Sequence, residues 1–148
     1  MTAVLNFLEG KGTDHRGRSL KSIQSESEQF WSEEHDFIQW LFPLDEKSMS
    51  VPNSPVIRQP EIQWIRDSDE AQASLDKNVL RYQQYLKKDR EWHGAYDHNH
   101  LRITRVLKSI KLLQDLDRAR GFKYWVALQL GDQIDVINEK TKQYWRLM

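Results

Sequence analysis

Apolar residues along the chain recur mostly three or four apart, the spacing of one helix face, and strand-type alternation never runs for long. Ala3–Leu8 reads as a short helix stopped by the turn Gly10-Lys11-Gly12, followed by a polar loop, Thr13-Asp14-His15-Arg16-Gly17-Arg18. Ser19 is placed to cap a short helix through Gln24, and Ser27 to cap a longer one running to about Leu41. Phe30, Glu34, Phe37, Ile38 and Leu41 would form its inner stripe, with one polar interruption. Pro43 ends it, because proline cannot continue the backbone bonding. Asp45–Pro60, with three prolines, reads as one long loop.

Helical spacing resumes at Glu61–Arg66, led by Pro60, and again over Asp69–Lys88, where Leu75, Val79, Tyr82 and Leu86 share a face. After a loop from Arg90 to Asp97, a helix capped near Asn99 shows Leu101, Val106, Leu107, Ile110 and Leu113. Asp117–Leu130 and Glu139–Leu147 complete the pattern, with Gly131 as terminator between them. The expectation is an all-α chain: a compact bundle of about six to eight helices with one long Pro/Ser-containing loop. A length of 148 residues suits one domain, 1–148, and leaves two cramped.

Composition narrows the function classes. Apolar residues make up 39%, and six Trp, five Tyr and five Phe give a core its bulk. Lysine plus arginine equals aspartate plus glutamate, 22 against 22, whereas a general nucleic-acid binder is strongly basic, so no nucleic-acid partner is expected. There is no cysteine, which excludes disulfides, cysteine zinc sites and thiol catalysis within these residues. No stretch approaches the ~20 apolar residues of a membrane span. Met1–Phe7 has no basic region ahead of an apolar run, so it does not read as a secretory signal, and a cytoplasmic location is expected.

The charges are unevenly spread. Ser22–Glu46 carries seven acids and no Lys or Arg, and His98–Leu113 carries four bases and no acid. Lys11, Arg16, Arg18 and Lys21 form a second basic cluster, against Asp14 alone. Two readings are open: these charges neutralise one another inside the fold, or the basic segments converge on an anion.

Unusual polar residues gather in three short segments. In the first, Asp14, His15, Arg16 and Arg18 stand beside glycines that would let the backbone approach a ligand. It is not a Walker A loop, since the Gly-Lys-Thr/Ser ending is missing, and no strand precedes it. In the second, His35 and Gln39 would lie one turn apart on a helix rich in aromatics, with Trp40 alongside. They read either as polar groups at the core edge or as readers of a ligand's polar edge. In the third, His98, Arg102 and Arg105 follow i, i+4, i+7 spacing and share a helix face, while Asn99 reads as a cap. Two arginines led by a histidine suit a phosphate or carboxylate, and equally suit ion pairs with the acidic segment. His98-Asn99-His100 is not the HNH nuclease signature, and on a helix the two histidines point apart, so no metal and no cofactor is expected.

These strings carry a family resemblance. His35-Asp36-Phe37-Ile38-Gln39-Trp40-Leu41-Phe42-Pro43-Leu44, and Trp92 followed by His98 through Ser109, resemble the conserved region of the opioid growth factor receptor family. Phe7 through Arg18 resembles its bacterial, single-domain members. The resemblance implies that the strings around His35, Gln39, Trp40, His98, Asn99, Arg102 and Arg105 are what the family holds in common. It supplies no catalytic residues. The chain departs from the family at Lys87-Lys88-Asp89-Arg90, where many members are more apolar.

The residues therefore point to a binding or interaction module with an anion-accepting polar pocket, for a small anionic ligand or a protein partner. The alternative is a small enzyme using His15, His35 or His98 as acid–base on a phosphorylated or carboxylated substrate. A duller reading places Trp64, Trp125 or Trp145 in an interface between copies.

Overall fold

Six residues of α-helix satisfy few of their own backbone groups, so a chain punctuated this often by serine, proline and glycine must borrow partners from elsewhere. The computed structural model describes residues 2–147; Met1, part of the stretch read for a secretory signal, and Met148 lie outside them. Among the described residues there are nine α-helices and no β-strand beyond isolated bridges. The chain divides into two compact units, residues 1–85 and 86–148. No helix is long and apolar enough to cross a membrane, among the described residues.

The first unit opens with α1 (Ala3–Leu8), whose buried Val4, Leu5, Phe7 and Leu8 face the core. Its N-terminus has no cap from its own sequence. Instead the buried Glu61 carboxylate accepts from the Thr2 hydroxyl and, at 3.3 Å, from the Leu5 N–H. The helices α2 (Leu20–Gln24) and α3 (Glu28–Glu33) start where serine side chains accept a free N–H, Ser19 from Ser22 and Ser27 from Phe30, both at 3.1 Å.

The helix expected from Ser27 to Leu41 is broken. Glu34 is extended at ψ 141°, and α4 (Ile38–Leu41) is a separate turn. The break lets the chain fold back so that Phe37 meets the edge of Trp31 (5.0 Å between centroids) and Phe30 (4.9 Å). Packing of aromatic area outweighs the few hydrogen bonds a continuous helix would keep. The Asp45–Pro60 stretch is a loop, as its prolines predict, pinned where Ile57 N–H donates to Leu44 O at 3.0 Å. It leads into α5 (Glu61–Asp67) and the long α6 (Asp69–Lys88).

Asn78, on α6, has no solvent exposure, and its amide joins three elements. It donates to Leu41 O of α4 at 3.0 Å and accepts from Gln24 Nε2 of α2 at 2.7 Å. Arg81, one turn on, donates to Gln24 O and Glu26 O at the end of α2, and its guanidinium lies 4.6 Å from the Trp31 ring centre.

In the second unit a 3₁₀ turn (Glu91–His93) buries Trp92, whose indole donates to Leu86 O at 2.9 Å. It precedes α7 (His98–Leu113), α8 (Leu116–Leu130), a 3₁₀ segment (Gly131–Val136) and α9 (Glu139–Leu147). Asp97, not Asn99, caps α7, its carboxylate accepting from Asn99 N–H at 3.0 Å, and Asn99 itself is buried two positions inside. Leu101, expected on the inner face, is exposed, because Ile103, Val106, Leu107 and Ile110 set the buried face. Gly131 ends α8 at φ +52°, a conformation costly for any other residue.

Asn78→Ala should lower unfolding free energy by about 2 kcal/mol, since it strands the buried Leu41 carbonyl and the half-buried Gln24 amide. Urea denaturation measures this; a loss below about 0.5 kcal/mol would show that the three-way bond contributes no net stability.

Candidate functional site

The loop between α1 and α2 is built around one carboxylate. Asp14, with a fully buried side chain, accepts from the N–H groups of Arg16 and Arg18 through Oδ1, both at 2.9 Å. Through Oδ2 it accepts from Arg18 Nε at 2.7 Å. The turn closes with Asp14 N–H donating to Arg18 O, which requires Gly17 at φ +77°. A second carboxylate, Asp36, arrives from the break between α3 and α4. Its Oδ1 accepts from Arg18 Nη2 at 3.0 Å, and its Oδ2 lies 3.2 Å from both Arg16 Nη1 and His15 Nε2.

The first two predicted polar segments therefore meet, and they meet as an ionic network. Arg18 bridges Asp14 and Asp36 while its guanidinium sits 5.6 Å from the Phe30 ring centre. Burial works against the charge on Arg18, but the hydrogen bonds to Asp14 and Asp36 outweigh it and raise its pKa above the ordinary arginine value. Burial likewise works against ionised Asp36, and the bonds from Arg18 and Arg16 overcome it and hold its carboxyl below the usual aspartate value. Arg18, expected to hold an external anion, already holds two internal carboxylates, and Arg16 pairs with one of them.

His15 lies over Trp40, with ring centroids 6.2 Å apart and planes 12° apart, and the edge of Phe7 meets Trp40 at 5.4 Å. His35 is exposed and does not share a helical face with Gln39, because the break falls between them; Gln39 Nε2 donates to His35 O at 3.1 Å. The buried Gln39 Oε1 and Trp40 Nε1 have no hydrogen-bond partner among the described residues.

The third segment lies on α7 in the second unit. His98, Arg102 and Arg105 do follow one face of that helix, and Arg102 is buried. None of His98, Asn99, Arg102 and Arg105 is free of interactions. His100, one row away, is also buried and bonds Trp92 O through Nε2 at 2.7 Å, with its ring edge-on to Trp145.

The second unit also holds a cavity of about 180 Å³. Its wall is apolar: Ile103 and Leu107 from α7, Val126 and Leu130 from α8, and Trp145 from α9. Trp145 is fixed there by its indole N–H, which donates to Thr104 Oγ1 at 3.1 Å, and Thr104 in turn donates to His100 O. Three cations line the cavity, Lys123, Lys142 and Arg146, with one acid, Asp135. Lys142 pairs with Glu139 at 2.8 Å, and Lys123 Nζ donates to Arg146 O at 3.4 Å.

Ile103 and Leu107 lie within the string His98 through Ser109, but none of the charged residues of the cavity was singled out in the sequence. Lys142, Trp145 and Arg146 follow i, i+3, i+4 spacing on α9, and that was the available signal. It resembles any amphipathic helix and does not reveal a void. Trp145, expected near the surface, is buried, whereas Trp64 is exposed. Among the described residues no group of three or more His, Asp or Glu side chains could hold a metal ion.

Residues 18–87 match the opioid growth factor receptor (OGFr) conserved region. No curated protein and no solved structure matches the chain. The OGFr conserved region contains Arg18, Asp36, Gln39, Trp40 and Asn78, and so most of what joins the first unit. It begins after Asp14, His15 and Arg16, which leaves all but the last residue of the stretch likened to bacterial members outside it, and it ends before the His98 string and the cavity.

Asp36 carries a pH dependence of definite sign. Its folded pKa is lowered, so its contribution is complete above the ordinary aspartate value of about 3.9 and disappears as pH falls through the lowered folded value. Asp36→Asn should cost about 2 kcal/mol at neutral pH, between the values for breaking exposed and buried pairs. It should also flatten the stability profile below about pH 4 relative to the parent chain. Urea midpoints measured across the acid range check both, and parallel profiles would show that Asp36 is not the group responsible.

Proposed function

We propose that this chain is a binding module, and that the cavity of its second unit is where it takes a small ligand. One observation carries the reading: the cavity is walled by buried apolar side chains and bordered by a surplus of cations. Concave apolar sites with a few polar groups at one side are the usual form of small-molecule sites. The geometry of the first unit supports the same division of labour. Asp14 and Asp36 both hold Arg18, and Asp36 also pairs with the more exposed Arg16, so that loop serves mainly as a strut of the fold and we assign the anion-accepting role to Lys123, Lys142 and Arg146.

A catalytic reading has one contact in its favour, His15 Nε2 at 3.2 Å from Asp36. A carboxylate beside a histidine can orient it for proton transfer. Here the same carboxylate is shared with two arginines, and among the described residues no nucleophile stands in bonding contact with His15. Turnover of a generic phosphate or carboxylate ester, abolished by His15→Ala, would favour this enzyme over the binding module.

The binding reading predicts that a neutral ring-bearing probe such as benzyl alcohol stabilises the full chain, by about 2.7 kcal/mol when present at one hundred times its Kd. Val126→Phe, which fills the cavity from α8, should remove that stabilisation while leaving the circular dichroism spectrum unchanged. Thermal denaturation with and without probe measures it; an equal response in the Val126→Phe chain would place binding elsewhere.

A further inference from the structure

We propose that the natural occupant of this cavity is a small monocarboxylate whose apolar part is one aromatic ring or an alkyl chain of similar bulk. The inference rests on the binding-module reading and adds the chemical class of the ligand. Three properties of the site select that class: size, wall chemistry and charge count.

Size sets the apolar part. A dry cavity of about 150 Å³ lined by aliphatic side chains accepts benzene. The cavity here, at about 180 Å³, has room for one ring and a short substituent, and none for a nucleoside or a fused polycycle. The wall agrees. Ile103, Leu107, Val126 and Leu130 are each at most 3% exposed and offer no hydrogen bond, so a sugar or polyol would lose its hydration there without replacement.

Charge sets the head group. Lys123, Lys142 and Arg146 bring three positive charges, and Asp135 at the cavity with Glu139 on Lys142 brings two negative ones. The surplus is a single positive charge, which a carboxylate cancels and a phosphate dianion exceeds. The Lys142 side chain is only 12% exposed while its Glu139 partner is 71% exposed, so this ammonium sits against the protein and its carboxylate partner faces water. A ligand carboxylate at the mouth can share Lys142 with Glu139, and Arg146 supplies a planar donor fork suited to carboxylate. The apolar wall beside these cations lowers the local dielectric and strengthens the pairing over that of an open surface.

Calorimetric titration of the full chain with phenylacetate, phenylacetamide and phenyl phosphate tests the class, and the Trp145 indole N–H resonance reports whether binding occurs in this cavity. Phenylacetate should bind about fivefold to tenfold tighter than its neutral amide. The gap should narrow in high salt, and Arg146→Met and Lys142→Met should each reduce it. Equal affinity for acid and amide would overturn the carboxylate assignment and leave the cavity reading intact. Tighter binding of phenyl phosphate would overturn it in favour of a dianion. If none of the three, nor benzyl alcohol, moves the Trp145 resonance, the binding-module reading falls together with the ligand class.

Discussion

Five of the nine helices among the described residues have seven residues or fewer, and helices of that length cannot meet their own hydrogen-bonding needs. Everything else in the first unit follows from that shortage. Glu61 serves the start of α1, Ser19 and Ser27 serve α2 and α3, and Arg81 and the Trp31 indole take the carbonyls at the end of α2. Ser19 and Ser27 act locally, but the other partners are distant in sequence, so α1, α2 and α4 are each held in part by residues that belong to another helix. The buried polar groups of this unit are thus the means by which its secondary structure exists, and not decoration on a finished core.

The ionic network at Asp14, Arg18 and Asp36 obeys the same economy. A loop between two short helices has no ladder of its own, and a buried carboxylate that accepts two backbone N–H groups supplies one. Burying that carboxylate requires a cation, and burying the cation requires a second acid at the edge of solvent. The OGFr conserved region begins at Arg18, the residue that links the two acids. The second unit solves its problem differently, with helices of nine to sixteen residues that leave a void where their side chains fall short.

Much of the fold was legible in the sequence, and particular residues say why. Ser19, Ser27 and Gly131 act locally, so their capping and terminating roles can be read from neighbours along the chain. The break after Glu33 was not legible, because it is driven by the meeting of Phe37 with Trp31 and not by any local breaker. The cap of α7 falls two residues before the one the sequence suggests: Asp97 and Asn99 are equally good caps in isolation, and burial of Asn99 decides between them. The candidate site divides the same way. That Arg16 and Arg18 are charge-bearing loop residues could be read directly; that two aspartates neutralise them depends on Asp36 being brought from twenty residues away or nearly so. The cavity is an absence of atoms, and periodicity records only the residues that are there.

Asn78 has a kinetic consequence beyond its contribution to stability. Its amide connects partners separated by 54 and 37 residues, and Arg81 adds a link across 57. The elements it joins, α2 and α4, are five and four residues long and have no lifetime as isolated helices. The twenty-residue α6 is the one segment of this unit long enough to persist on its own for part of the time. A chain held in this way is expected to fold with α6 as template, presenting Asn78 and Arg81 to the short helices, and the closure of these long loops is expected to set its rate more than helix propensity does.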